Sequence, residues 1–281
     1  MAKLIELRNT YHHQVCQQAI FLKSNNVPSI ADVGSPLSKS LSWGIIEQIA
    51  SPVSKQTIKG QTAGKKFEEV TKDFLKEAFD LLAHLRPGNW IFSVQGNISS
   101  FGQYQHLADL ANLVRSHKQL HTALGDYVVK PDIIIARTPI TDSEINQDQT
   151  VVGPQSLPKL TPLRASNFEV SQQILHASIS CKLTLRSDRS QNARTEGLNL
   201  IRNRKGHTPH IAVVTAEPMP TRISSLALGT GDIDCVYHFA LPELIVAVQA
   251  TQNEAVLESL MIMVEGKRLR DIIDLPFDLV T

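Results

Sequence analysis

Three observations predict an α/β fold. From Ala63 to Leu85, the residues Phe67, Val70, Phe74, Ala78, Leu81 and Leu85 recur at three- and four-residue steps, and Arg86-Pro87-Gly88 follows. That is the pattern of an amphipathic helix with a defined stop. Residues 177–185 alternate instead, with Ile179, Cys181, Leu183 and Leu185 on one face and Ser178, Ser180, Lys182 and Thr184 on the other, the period of a strand. Apolar runs at 89–96, 133–136, 210–216 and 232–239 supply further short strands between helical segments.

The remaining elements follow in order. Residues 1 to about 60 suggest helices near 5–22 and 42–50, joined by a surface loop that holds Asp32. Residues 103–122 read as a helix, since Tyr104, Leu107, Leu110, Ala111, Val114 and Leu120 repeat at helical spacing. The strand at 126–137 is interrupted by Pro131, which implies an edge or a bend. From Thr138 to Asn167 four prolines and little periodicity predict a long loop, an arm or interface element too short for a domain linker. A helix from about Gln191 to Arg204 follows the 177–185 strand. The chain closes with an apolar segment at 260–264, a helical turn and Asp-Leu-Pro-Phe-Asp-Leu-Val. We expect one domain over residues 1–281.

Composition narrows the class. The three cysteines, Cys16, Cys181 and Cys235, are odd in number and far apart, which argues against a disulfide framework or a structural zinc site and for a reducing cytoplasm. No apolar run approaches a membrane span. The formal net charge is +1, too small for a global field to gather nucleic acid, so contact with DNA requires a localised face. Such a face exists between Lys182 and Lys205, where seven bases meet only Asp188 and Glu196.

Several residue types in these elements carry chemistry. Asp132 precedes the apolar run Ile133 to Ala136, and an acid there is costly unless paired or bound to a cation. Lys182 shares a strand face with small polar residues; a lysine on a solvated sheet face is the plain alternative. Glu68 and Glu69 open the long helix. At helical spacing Glu68 falls about 80° from the centre of the apolar stripe and can look along its flank, while Glu69 faces water. The plain alternative is two first-turn acids complementing the helix dipole. His117 and His121 stand four apart, yet no H-E-x-x-H arrangement or third ligand accompanies them, and a polar helix face explains them better. The usual nuclease pattern places a second acid two residues before the lysine; here that place is Ser180.

The order K-P-D, then S-I-S-C-K, then R-S-D-R four residues after the lysine, then a glutamate fourteen after it, resembles the type II restriction endonucleases of the PD-(D/E)XK group whose sites contain CCGG. Likeness runs through HASISCKLTLRSDRSQNARTEGLNLIRNRKGHTPHIAVVTAEP and RISSLALGTGDIDCVYHFAL, with further matches in GQTAGKKFE, LRPG, KPDIII and GKRLRDIIDLPFDL. It is weakest in the first 55 residues and in the 138–167 loop.

The resemblance implies a restriction-endonuclease-like core, a mixed β-sheet flanked by α-helices, and Mg²⁺ as cofactor. Asp132 would hold metal with the main-chain carbonyl of Cys181, Lys182 would orient the attacking water, and Glu196 from the following helix would replace the acid missing at position 180. Glu68 would complete the acidic site. The Cys181 side chain points with the core residues, so it is not a nucleophile. Arginine forks onto guanine O6 and N7 and aspartate accepts from cytosine N4, so Arg186, Asp188 and Arg189 would read CCGG. Arg222, Asp32 and Gln61 would read the outer pairs, implying GCCGGC cut after the first G to leave four-base 5′ overhangs. A palindromic site calls for two-fold symmetry, and the resemblance adds a homotetramer built from two dimers. Its setting would be a restriction-modification system in the cytoplasm, with double-stranded DNA as partner and no membrane. Two rival readings are a sequence-specific DNA-binding protein that has lost cleavage, and a structure-selective repair nuclease with no need of an R-S-D-R reader.

Overall fold

The computed structural model describes residues 2–23, 25–116, 129–155, 157, 159–168, 172–229 and 231–281. Six strands, β1 (Trp90–Val94), β2 (Ile133–Arg137), β3 (Ile174–Lys182), β4 (His210–Thr215), β5 (Cys235–His238) and β6 (Leu269–Asp271), lie in that order in one sheet. β1 and β2 are antiparallel, with Trp90 opposite Arg137 and Val94 opposite Ile133. β4 pairs with β5, and β5 with β6, in parallel, so the sheet is mixed. The helices in chain order are α1 (Lys3–Gln18), α2 (Pro36–Ile49), α3 (Gly60–Leu81), α4 (His106–Ser116), α5 (Asp142–Ile145), α6 (Ser187–Asn203), α7 (Pro220–Ala227), α8 (Leu241–Ala250), α9 (Glu254–Glu265) and α10 (Leu275–Val280). The α/β class with a mixed sheet and flanking helices is as the sequence predicts.

The described residues gather into two units. Residues 1–86, 179–197 and 210–281 form the first, and 87–178 with 198–209 the second. In the first unit α3 buries Ala63, Phe67, Val70, Phe74 and Ala78, the stripe expected of it, together with Thr71, Leu75 and Phe79. Leu81 and Leu85 are exposed, contrary to expectation, because the helix stops at Leu81 and the stripe has no helix to continue on. α1 packs along α3, where the buried Tyr11 hydroxyl meets Thr71 Oγ1 at 3.1 Å. α2 begins at the capping Ser35, whose hydroxyl accepts the Ser38 N–H at 3.2 Å, with Pro36 in the first turn.

β3 is a core strand, and the plain alternative of a solvated face does not hold for the residues before Lys182: Leu175 through Cys181 are all buried, including His176, Ser178 and Ser180. Parallel and central strands are covered on both faces, and hydroxyls survive there only when hydrogen-bonded. β3 also ends at Lys182, so Leu183, Thr184 and Leu185 belong to the turn that follows. α7, α8 and α9 are absent from the sequence reading, which sees only an apolar segment at 260–264. α8 (LPELIVAVQA) is apolar on nearly every side, and without a polar face there is no helical period to detect.

In the second unit the 138–167 stretch is more ordered than a featureless loop. Thr141 and Glu144 form a capping box on α5, and Arg164, only 4% exposed, pairs with Asp142 at 2.7 Å and donates to the Gly153 carbonyl at 2.9 Å. That guanidinium, helped by the Ser166 hydroxyl, holds the Asp142 carboxyl at about 2. Val151, Leu157 and Leu160 nevertheless stand exposed on the segment. In α4, Leu107 and Val114 are buried as expected, while Leu110 is 38% exposed, lying on the edge of the narrower stripe that a short helix needs. The expected helix residues 117–122, with His117, Leu120 and His121, and residues 126–128 of the expected strand lie outside the described residues.

One buried ion cluster fastens the first unit. Arg8 of α1 forks onto Glu243 Oε1 and Oε2 at 2.8 and 2.7 Å and onto Asp271 Oδ1 and Oδ2 at 2.8 and 2.7 Å. The three side chains are 12, 15 and 8% exposed. Removing the cation leaves two buried carboxylates facing each other, so Arg8→Ala is expected to destabilise the fold by about 3–5 kcal/mol, read as a lower urea midpoint. The double variant Arg8→Met with Glu243→Leu should recover part of that loss.

Candidate functional site

Lys182 is the last residue of β3 and its main chain is fixed from β4: its carbonyl accepts the Thr215 hydroxyl at 2.7 Å and the Ala216 N–H at 3.3 Å. Two residues earlier, the Ser180 hydroxyl donates to Glu196 Oε2 at 3.4 Å. A carboxylate from α6 is therefore brought to the strand position where Ser180 stands in place of an acid. Gly197 follows directly, and a Cβ there would come within 2.3 Å of the Asp232 carbonyl. That clearance lets α6 lie close at the residue beside Glu196.

Glu68 lies half-buried on the flank of α3. Its neighbour Glu69 is 46% exposed at the side chain and pairs with Lys66 at 2.7 Å. Asp132 belongs to the second unit, where it is half-buried immediately before the fully buried Ile133–Ala136, and its carbonyl accepts the Gln95 N–H at 3.0 Å. The Cys181 side chain is buried, as the strand's alternation implies.

The sequence places R-S-D-R before the helix, but α6 starts at Ser187 and not near Gln191, so Ser187, Asp188 and Arg189 form its first turn. Arg186 to Arg189 are all exposed. Asp188 lies in the first turn, a position favoured for an acid by the helix dipole. Arg189 Nη1 reaches back to Thr184 Oγ1 at 2.7 Å and to its carbonyl at 3.2 Å. Arg222 of α7 donates from Nη2 to Asp32 Oδ2 at 2.5 Å, and the Gly34 N–H donates to Asp32 Oδ1 at 3.1 Å. The guanidinium first, then that N–H, hold the Asp32 carboxyl below its usual range. A cavity of about 400 Å³ opens here, lined by Asp32, Leu185, Arg186, Ser190, Arg222 and Ser225 among others. Gln61 is exposed in the first turn of α3.

Two residues of this surface escape the sequence reading. Lys23 lies close enough to Asp32 and Arg186 to feel both, and burial lowers its ammonium pKa; nothing local in the sequence marks it. Glu217 is fully buried. Its Oε2 accepts the Leu185 N–H at 2.7 Å, its Oε1 accepts the Met219 N–H at 3.1 Å, and Arg222 Nη1 stands 3.8 Å from Oε1. Its signal is present in the sequence: an acid abutting the apolar run IAVVTA, the same costly juxtaposition that singles out Asp132.

A divalent metal ion is the general cofactor of restriction endonucleases. The candidate donors here, carboxylates and a main-chain carbonyl, are hard oxygens, and such a set suits a hard cation. Among the described residues no three His, Cys, Asp or Glu side chains gather into a ready-made cluster, so a shell would need main-chain and water oxygens as well.

The structure thus places a strand-end lysine, an acid delivered to its strand from a helix and exposed arginines four residues on within one short stretch, the residue types that the sequence singles out. Comparison with known proteins makes this particular. Residues 11–281 match the model of the NgoMIV restriction enzyme family. The chain is 47% identical over 279 residues to the type II restriction enzyme NgoMIV of Neisseria gonorrhoeae, covering 97% of this chain and 96% of that one. The chain belongs to the NgoMIV restriction enzyme family and is a type II restriction endonuclease. Solved structures are more remote: Bse634I with cognate DNA matches at a TM-score of 0.37 and 13% identity over 89% of this chain and 91% of its own. PspGI with substrate DNA matches at 0.27 and 15%, over 88% and 92%.

Burial raises the Glu217 carboxyl to about 7, against the pull of its two N–H donors and Arg222. The unfolded group titrates at 4.5, so as pH rises the unfolded chain sheds this proton first. Stability contributed by the group falls from pH 4.5 to about 7 and is level above. Glu217→Gln has no such proton to lose. Relative to the variant, the wild type is expected to lose on the order of 1–3 kcal/mol between those limits, measurable by urea unfolding across the pH range.

Proposed function

We propose that the enzyme hydrolyses double-stranded DNA at GCCGGC, with Mg²⁺, cutting after the first G to leave four-base 5′ overhangs. The observation that carries the active-site reading is Glu196 Oε2 at 3.4 Å from the Ser180 hydroxyl, which supplies an acid two residues before Lys182 from another element. Asp132, Glu196 and the Cys181 carbonyl would hold the metal, with Glu68 reaching it through water. The bound metal supplies water activation and neutralises charge developing on the phosphate.

The chain's own groups account for the rest. Lys182, with its main chain held by Thr215 and Ala216, directs its ammonium at the attacking water or a phosphate oxygen. Arg186 and Arg189 fork onto guanines and Asp188 accepts from a cytosine amino group, while Arg222, Asp32 and Gln61 read the outer pair. Lys23 contributes a cation beside Arg186 and contacts phosphate. Arg222 and Asp32 pair with each other, so their polar groups lie together as donor and acceptor at the cavity they line.

We read residues 1–281 as one domain, because the chain passes between the two units four times and β3 and α6 each contribute to both. A palindromic target supports a homodimer with one active site per strand, and likeness to the family supports pairing of two dimers. No helix among the described residues is long and apolar enough to cross a membrane. Three buried, widely spaced cysteines and likeness to the family support a cytoplasmic enzyme working beside a modification partner.

Digestion of a plasmid of known sequence with Mg²⁺, followed by mapping of the ends, tests this directly; ends that do not fall within GCCGGC overturn it. Lys182→Ala and Asp132→Ala are expected to abolish cutting while specific binding in Ca²⁺ persists. Arg186→Ala should weaken specific binding by about 1–3 kcal/mol per guanine contact and erase preference at that base pair, as measured by competition between cognate and altered duplexes.

A further inference from the structure

We propose that Glu217 is a positioning residue for sequence discrimination, holding the link between Lys182 and Arg186 in one geometry with the Arg222–Asp32 pair. The inference rests on the reading of Arg186 and Arg222 as base readers.

Three residues, Leu183 to Leu185, separate the strand-end lysine from the first reader. The first end of the link is fixed by the Lys182 carbonyl, which accepts the Thr215 hydroxyl at 2.7 Å, and Glu217 holds that hydroxyl through its own N–H at 3.1 Å. At the second end the Leu185 N–H donates to Glu217 Oε2 at 2.7 Å, one residue before Arg186, and the Leu185 side chain is itself buried. The opposite oxygen, Oε1, accepts the Met219 N–H at 3.1 Å and faces Arg222 Nη1 at 3.8 Å. The other amino group of that guanidinium, Nη2, binds Asp32. The buried side chain thus touches Leu185 beside Arg186 and faces Arg222, while the main chain of the same residue reaches the catalytic strand through Thr215.

A carboxylate is the group this place requires. Its two oxygens both accept, so both N–H donors are satisfied while the same oxygens face a cation. Glutamine would turn its NH₂ toward either Leu185 or Met219 and leave that donor without an acceptor in a site closed to water. A simple strand-end brace would need only one of these bonds, and none of them would have to fall on Leu185 or on Arg222.

Glu217→Gln and Glu217→Asp, the second keeping the charge but withdrawing it by one methylene, test the assignment. Cutting is measured on duplexes carrying GCCGGC, the same site with one inner pair changed, and the same site with the outer pair changed. The wild type is expected to cut only the first. A folded variant, checked by circular dichroism and thermal unfolding, is expected to lose at least about tenfold in the ratio of cognate to altered-site kcat/KM, with the cognate loss falling on kcat more than on KM. A uniform loss on all three duplexes, or a discrimination ratio equal to that of the wild type, overturns the inference. Should the glutamine variant not fold, the aspartate variant decides by the same criteria. Failure of the wild type to cut GCCGGC overturns the site reading itself, and this inference with it.

Discussion

A strand buried on both faces sets the terms for the site. β3 carries His176, Ser178 and Ser180 among its buried residues, and polar groups in such a place must find partners or unfold the strand. The Ser180 hydroxyl finds Glu196, and the strand's last carbonyl finds Thr215. The need to satisfy polar groups inside a sheet therefore draws in the helix acid and locks the backbone of the lysine.

The same economy recurs wherever charge is buried in the first unit. Arg8 serves two carboxylates from separate elements, and Glu217 serves two backbone donors and faces an arginine. Such groups add little net stability over an apolar core, because desolvation offsets most of their attraction. What they add is geometry, since a bidentate bond tolerates only one arrangement of its partners. In the proposed reading, where Lys182 cuts and Arg186 reads, small displacements between the two change rate steeply. Rigidity in the short link from Lys182 to Arg186 therefore matters more than its strength.

Much of this was legible before the fold. Helical spacing located α3 and marked Glu68 as the flanking acid and Glu69 as the outward one; Glu69 pairs with Lys66 at the surface. Alternation located β3, and the basic cluster marked Arg186 and Arg189, which are exposed. Legibility failed where periodicity carries no information. α8 is apolar on nearly every side, Leu81 and Leu85 continue a stripe to and past the helix end, and β3 alternates although both faces are covered. A period reports which residues share a face, and it is silent about what covers that face.

The sequence by itself determined the α/β class, the family and the candidate residues of the site, because those depend on local spacing and on motifs a few residues long. Only the tertiary structure decided that Glu196 reaches Ser180, that Arg222 pairs with Asp32 across 190 positions, and that Glu217 accepts the Leu185 N–H. Each of these depends on a side chain from another element arriving at a polar group, buried in the cases of Ser180 and Glu217 and half-exposed in that of Asp32. That arrival is governed by packing and by the cost of an unsatisfied donor, neither of which leaves a period in the chain.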